Sequence, residues 1–275
     1  METVIKTKNL SKRFNETVAL DSCSFTIEKG EVFGYLGPSG AGKTTTIKLL
    51  SGQLRSDMGE IEVLGRPPFD DTIKENIGIM SDNSGLYEKA TVYDNLKLFA
   101  EIYRLPAERI DEVLKDVGLY QEKKKPVEKL SKGMKQRLIF ARTILHGPEL
   151  LFLDEPTANL DPSTAEEVRD LIRQMKENGT TVFLTTHNME EADEMCDRIA
   201  LLDKGHIIEC GSPYELKLKY ARKQVEVTTE QGKETLPLDR PALIDYLQKC
   251  EDVITIHSIE PSLKEVFLTL TEEGR

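Results

Sequence analysis

Apolar residues along the first third of the chain fall in short runs of strand length. Residues 4–7 and 18–20 are short runs of strand-favouring composition, residues 23–27 alternate apolar with polar positions, and residues 32–36 form an apolar run that leads into glycines. This predicts three half-buried strands and one buried strand. The pattern then changes to helical spacing, with Ile47, Leu49 and Leu50 on one face of a helix expected over 45–51 and ending at Gly52. Strands are predicted again over 60–64 and 77–80, with Gly65-Arg66-Pro67-Pro68 as a turn between them.

From 91 to 145 the apolar positions keep a helical period. Val92, Leu96, Phe99, Ile102 and Tyr103 share one face, and Ile110, Val113, Leu114 and Val117 share another. A last helix, over 135–145, returns through the His146-Gly147-Pro148 turn to an apolar run at 150–153. That run and 181–185 have the composition of central parallel strands covered on both faces. The helix between them has readable ends: Asp161 can cap it with Pro162 at its first position, Ser163 with Glu166 offers a second capping box, and Gly179 suits its end. Residues 199–202 and 206–209 read as a hairpin through Asp203-Lys204-Gly205. Near Gly211-Ser212-Pro213 a small α/β appendage begins. It has strands over 224–229 and 253–257, a helix over 241–250, and a final helix boxed by Ser262 and Glu265.

Composition narrows the classes of partner. With 37 basic against 48 acidic residues the formal charge is −11, which repels a nucleic-acid backbone, so no nucleic-acid partner is expected. Cys23, Cys196, Cys210 and Cys250 lack CxxC spacing and read as reduced thiols, neither a zinc site nor a disulfide framework. No internal repeat is visible. The first residues lack the apolar core of a signal peptide, and no window approaches the ~20 apolar residues that span a bilayer, so work at a membrane would require docking onto another polypeptide.

Two stretches carry chemistry that the residues themselves explain. In GPSGAGKT (37–44), Gly37, Gly40 and Gly42 allow the turns that aim successive backbone N–H groups inward at a helix start, which makes an anion nest. Pro38, Ser39 and Ala41 complete the loop and Thr45 follows it, so residues 37–45 are the candidate set for binding the phosphates of ATP. Lys43 would bridge the β- and γ-phosphates and the Thr44 hydroxyl would ligate Mg²⁺. In LLFLDEP (150–156) the apolar run forces Asp154 to the carboxyl end of a buried strand, the edge where open α/β sheets bind ligands, and there it would face the Mg²⁺ shell.

With LSKGM (130–134) between these motifs and His187 after the strand 181–185, the chain resembles the ATP-binding cassette (ABC) ATPases, the motor subunits of ABC transporters, over about residues 3–211. The resemblance implies that Glu155 is the general base for the attacking water and that His187 is the switch histidine on the γ-phosphate. LSKGM resembles the family signature LSGGQ, so Ser131 and Gly133 would close over ATP held by a second copy; Lys132 and Met134 depart from that pattern. Phe14 matches the residue that stacks on adenine, with core packing as its rival role. Residues 158–161 resemble the D-loop, a role compatible with Asp161 as a helix cap. Asp82 stands where the family commonly has a Mg²⁺-ligating Gln; a carboxylate can coordinate the ion while adding negative charge beside Asp154 and Glu155.

The expected architecture is therefore α/β: a P-loop NTPase core of the ABC ATPase type over 1–211, with a β-rich N-terminal part and an inserted helical subdomain at about 85–145, and a small accessory domain over 212–275. The expected function is ATP binding and hydrolysis, with Mg²⁺, in a homodimer on the cytoplasmic face of the membrane, driving transport through a separate integral-membrane permease. Export is expected from the closing SIEPSLKEVFLTLTEE, which resembles the tail of stand-alone export ATPases. The alternative is a soluble ABC ATPase acting as a clamp on nucleic acid or the ribosome.

Overall fold

The structure, a computed structural model, describes residues 2–81, 85–249 and 252–273. The chain forms two compact units, Met1–Cys210 and Gly211–Arg275.

The first unit contains two sheets. One is antiparallel, in the order β2-β1-β4, from β1 (Thr3–Phe14), β2 (Thr17–Glu28) and β4 (Met58–Val63). The other has the order β5-β6-β7-β3-β8-β9, from β3 (Val32–Leu36), β5 (Ile77–Met80), β6 (Leu150–Asp154), β7 (Thr181–Thr186), β8 (Arg198–Asp203) and β9 (His206–Gly211). Every residue of β3, β6 and β7 is buried, as their unbroken apolar runs require of strands covered on both faces. Between the sheets Phe25 of β2 stacks on Phe33 with centroids 5.6 Å apart, and Phe183 of β7 meets Tyr35 at 5.4 Å and the edge of Phe152 at 5.9 Å.

The antiparallel strands are longer than their apolar alternation predicts. β1 runs on through the mostly polar stretch 8–14, which carries buried Leu10, and β2 joins the two strands expected at 18–20 and 23–27. The polar breaks are bulges: the β1–β2 register shifts between Thr7 and Leu10 and between Leu10 and Lys12, and Asn9 and Ser22 adopt positive φ of 50° and 54°.

The helix after the glycines, α1 (Lys43–Leu50), starts two residues earlier than predicted because Gly42 caps it. The helical insert comprises α2 (Val92–Ile102), α3 (Ala107–Asp116) and α4 (Lys132–Ile144). Thr91 and Asp94 form a capping box on α2, and Ser131 caps α4 by accepting from Met134 N at 3.2 Å, which starts that helix three residues sooner than expected. For α5 (Pro162–Glu177) the cap is Asp161, whose carboxylate accepts from Thr164 N at 3.1 Å; Glu166 pairs instead with Arg169 and Arg173. A short α6 (Met189–Met195), not predicted, is capped by Asn188.

The β8–β9 hairpin turns on Lys204 and Gly205, with φ of 46° and 84°, the two positive values a tight hairpin turn needs. Gly205 also joins three segments. Its N–H donates to Ala41 O at 3.2 Å, its carbonyl accepts from Asp21 N at 2.9 Å and from Cys23 Sγ at 3.1 Å, and a Cβ there would lie 2.9 Å from Ala19 O.

The second unit packs α7 (Pro213–Lys219), α8 (Arg240–Lys249) and α9 (Leu263–Glu273) with an antiparallel sheet in the order β11-β10-β12: β10 (Gln224–Thr229), β11 (Gly232–Pro237) and β12 (Val253–Ser258). Val225, Val227, Leu263 and Val266 form its buried centre. Ser212-Pro213, read from sequence as a boundary, is a helix start: Ser212 and Glu215 make a capping box on α7. Strand β11 was not predicted, since five of its six residues are exposed and carry no apolar alternation.

Candidate functional site

The glycine loop owes its shape to close backbone approaches. A Cβ on Gly37 would sit 2.3 Å from Leu202 O, and one on Gly42, at φ 112°, would sit 2.5 Å from Ala19 O, so only glycine fits either position. No capping side chain takes the first N–H groups of α1, and no acidic residue lies in its first turn, which leaves that helix start suited to an anion. Buried Lys43 folds back over the loop, with Nζ donating to Gly37 O at 2.7 Å and Pro38 O at 3.2 Å.

Two neighbouring carboxylates face this loop from the end of β6. Asp154 is 3% exposed; its Oδ2 accepts from Thr44 Oγ1 at 2.8 Å and its Oδ1 from Thr185 Oγ1 at 2.5 Å. A hydroxyl beside a carboxylate is the pair of hard oxygen donors that Mg²⁺ takes with substrate phosphates, so the donor set fits that ion. Glu155 turns away from the strand at φ 49°, a left-handed conformation fixed by its N–H donating to Thr185 O at 3.0 Å. Its Oε1 lies 3.2 Å from Lys43 Nζ and its Oε2 lies 2.7 Å from His187 Nδ1. Glu155 is 16% exposed and His187 62%, so the pair runs from the sheet edge to solvent. Ser39, Lys43, Thr44, Glu155, Asn159 and His187 all line one cleft of ≈ 490 Å³, with residues 17–19 of β2 on its rim.

The predicted residues divide into two groups. Residues 37–45, Asp154, Glu155 and His187 converge at the strand ends, with Ala41 buried in the loop and Thr45 at the cleft. Phe14 ends β1, three residues before the rim, and is 46% exposed with Lys12 Nζ 5.6 Å from its ring centroid; it is not a core residue. Ser131 and Gly133 are not among the residues lining the cleft. Gly133 is instead buried against α5, where a Cβ would meet Thr164 Cγ2 at 2.4 Å. Asp82 lies outside the described residues.

Three contributors escaped the sequence reading. Thr185 holds both Asp154 and Glu155. Buried Glu191 accepts from Thr157 Oγ1 at 2.5 Å and from Thr186 Oγ1 at 3.0 Å, tying the segment after Glu155 to the residue before His187. Gln136 of α4 donates to Pro156 O at 2.7 Å.

A sequence model described as ABC transporter matches residues 20–158, just over half of the chain. The chain belongs to the ABC transporter family. Among its ABC relatives, the fluoroquinolones export ATP-binding protein of Mycobacterium tuberculosis is 42% identical, over 98% of this chain and 93% of that protein. The bacitracin transport ATP-binding protein BcrA of Bacillus licheniformis is 37% identical, over 94% and 86%. A solved ATP-binding cassette, dimeric in a post-hydrolysis state with ADP and Pi, is 27% identical with a TM-score of 0.68, over 76% of this chain and 98% of that one. As a member of the ABC family the chain is an ATP-binding and ATP-hydrolysing subunit of a transporter with a P-loop α/β core. Among the described residues, no helix is long and apolar enough to cross a membrane.

Proposed function

We propose that two copies of this chain sandwich two ATP molecules and drive export through a separate integral-membrane permease from the cytoplasmic face of the membrane. The glycine loop and Lys43 receive the phosphates, and Phe14 stacks on the base. Mg²⁺ held by Thr44 and Asp154 would offset the phosphate charge. Glu155 accepts the proton of the attacking water, and His187 orients Glu155 and the γ-phosphate. Ser131 and Gly133 of the second copy close over the γ-phosphate, which agrees with their position away from the cleft of their own protomer. Export follows the role of the fluoroquinolones export relative, and the bacitracin relative is likewise a transport ATP-binding protein.

The observation that carries this reading is Glu155 itself. Its left-handed turn puts one carboxylate oxygen beside the phosphate-loop lysine and the other beside His187, so a base stands where a γ-phosphate and its water would meet. Glu155→Gln keeps the loop and removes the base, so ATP binding is retained while turnover falls by at least ~10²-fold, the lower end of the range for losing a general base. Size-exclusion chromatography of that variant with ATP shows a stable dimer. A variant that hydrolyses ATP normally and stays monomeric overturns the reading.

A further inference from the structure

We propose that Lys132 is a positioning residue that links the two nucleotide sites of the dimer, an inference that rests on the two-protomer reading above. The family pattern has glycine at this point of the signature, where this chain has a lysine at the first position of α4. Its Nζ donates to the carbonyl of Asn159. Gln136, four residues on and therefore on the same face of α4, donates to Pro156 O at 2.7 Å. One helix face thus grips both ends of the strap 156–159.

That strap leads directly from Glu155. Glu155 and Asn159 are both non-glycine residues with left-handed backbone, at φ 49° and 59°, a conformation that persists only where the surroundings hold it. Thr185 holds Glu155 N, and three further side chains hold the strap that follows: Gln136 at Pro156, Glu191 at the Thr157 hydroxyl, and Lys132 at Asn159. Two of the three belong to α4, whose N-terminal cap is Ser131, the residue assigned to the other protomer's nucleotide. Gly133 lies close against Thr164, where a Cβ would meet Cγ2 at 2.4 Å, so α4 and the start of α5 are packed in contact at this point. Ala158 and Asn159 line this protomer's own cleft.

The consequence is mechanical. When the Ser131 end of α4 is drawn onto the partner's nucleotide, Lys132 and Gln136 pass the displacement to the strap and so to Glu155 in the protomer's own site. A misplacement of about 1 Å in a reacting group can cost ~10²-fold in rate, so a small shift suffices to make one site wait for the other. Lys132 is exposed, so replacing it removes an ammonium-to-carbonyl bond without opening the core.

The test uses the full chain with Lys132→Met and Lys132→Arg, ATP hydrolysis measured against ATP concentration, and binding of a fluorescent ATP analogue. The unmodified chain is expected to show a sigmoidal ATP dependence. In Lys132→Met, kcat falls about tenfold, the curve becomes hyperbolic and analogue affinity stays within about twofold, the split expected when positioning rather than binding is lost. Lys132→Arg, which keeps a donor, restores most of the rate and the sigmoidal form. A hyperbolic unmodified chain, a Lys132→Met variant with unchanged kcat and curve, or a loss that Arg does not restore each overturns the proposal. ATP-induced dimerisation of Glu155→Gln separates the two levels. A dimer there with an unaltered Lys132→Met removes this inference alone, whereas a monomer removes the dimer reading and this inference together.

Discussion

Asp154 sits buried at the end of a strand because Thr185, on the adjacent strand, donates a hydroxyl to Oδ1 while Thr44 donates to Oδ2. Thr185→Val keeps the shape and leaves that oxygen without its donor, and a buried acceptor left unpaired costs about 1–3 kcal/mol. Urea unfolding is expected to show a loss of that size, with Thr185→Ser close to the unmodified chain; equal stability of the Val and Ser variants would refute it. At this scale the motif residues were legible because each one's chemistry is tied to its immediate neighbours: Lys43 and Thr44 follow glycines, and Asp154 and Glu155 end an apolar run. Thr185 was not, because inside TVFLTT a threonine reads as β-branched strand filler. Glu191, within the acid-rich MEEADEM, reads as a solvated surface residue, yet it is buried between two threonine hydroxyls contributed by separate segments.

The central strands could be predicted from their sequence because burial on both faces demands unbroken apolar composition. The antiparallel strands were read too short, since a bulge at Asn9 or Ser22 looks like a turn until the partner strand is known. Helix starts were read late at α1 and α4, where the capping residue is also a motif residue. Strand β11 went unread because a mostly exposed edge strand shows no periodicity. What binds the two sheets together is the ring cluster about Phe183, which touches Phe25, Phe33, Tyr35 and Phe152. Phe183→Ala should destabilise the first unit by about 3–5 kcal/mol, the range for emptying a buried aromatic site. Thermal unfolding reports it; a midpoint within a degree of the unmodified chain would contradict that role.

At the scale of the whole chain, the described residues that line the cleft at the glycine loop belong to the first unit. A chain ended after Gly211, which retains β9 whole and the described lining of the cleft, is therefore expected to bind a fluorescent ATP analogue about as tightly as the full chain. Loss of binding by a truncated chain that still unfolds cooperatively would give the second unit a part in nucleotide recognition. The expected charge effect and the motif order are whole-chain properties that need no coordinates. The role of Ser131 across two copies was legible only through the resemblance of LSKGM to the family signature; the geometry adds that this serine is not among the residues lining the cleft of its own protomer.

The hairpin turn at Gly205 extends the nucleotide cleft's dependence to a residue outside it. Through single atoms it fastens the rim strand at Asp21 and Cys23 to the phosphate loop at Ala41, with Ala19 pressed close behind. A side chain there would wedge the rim off the loop, so a change in the turn beside the loop would be felt as a looser grip on triphosphate.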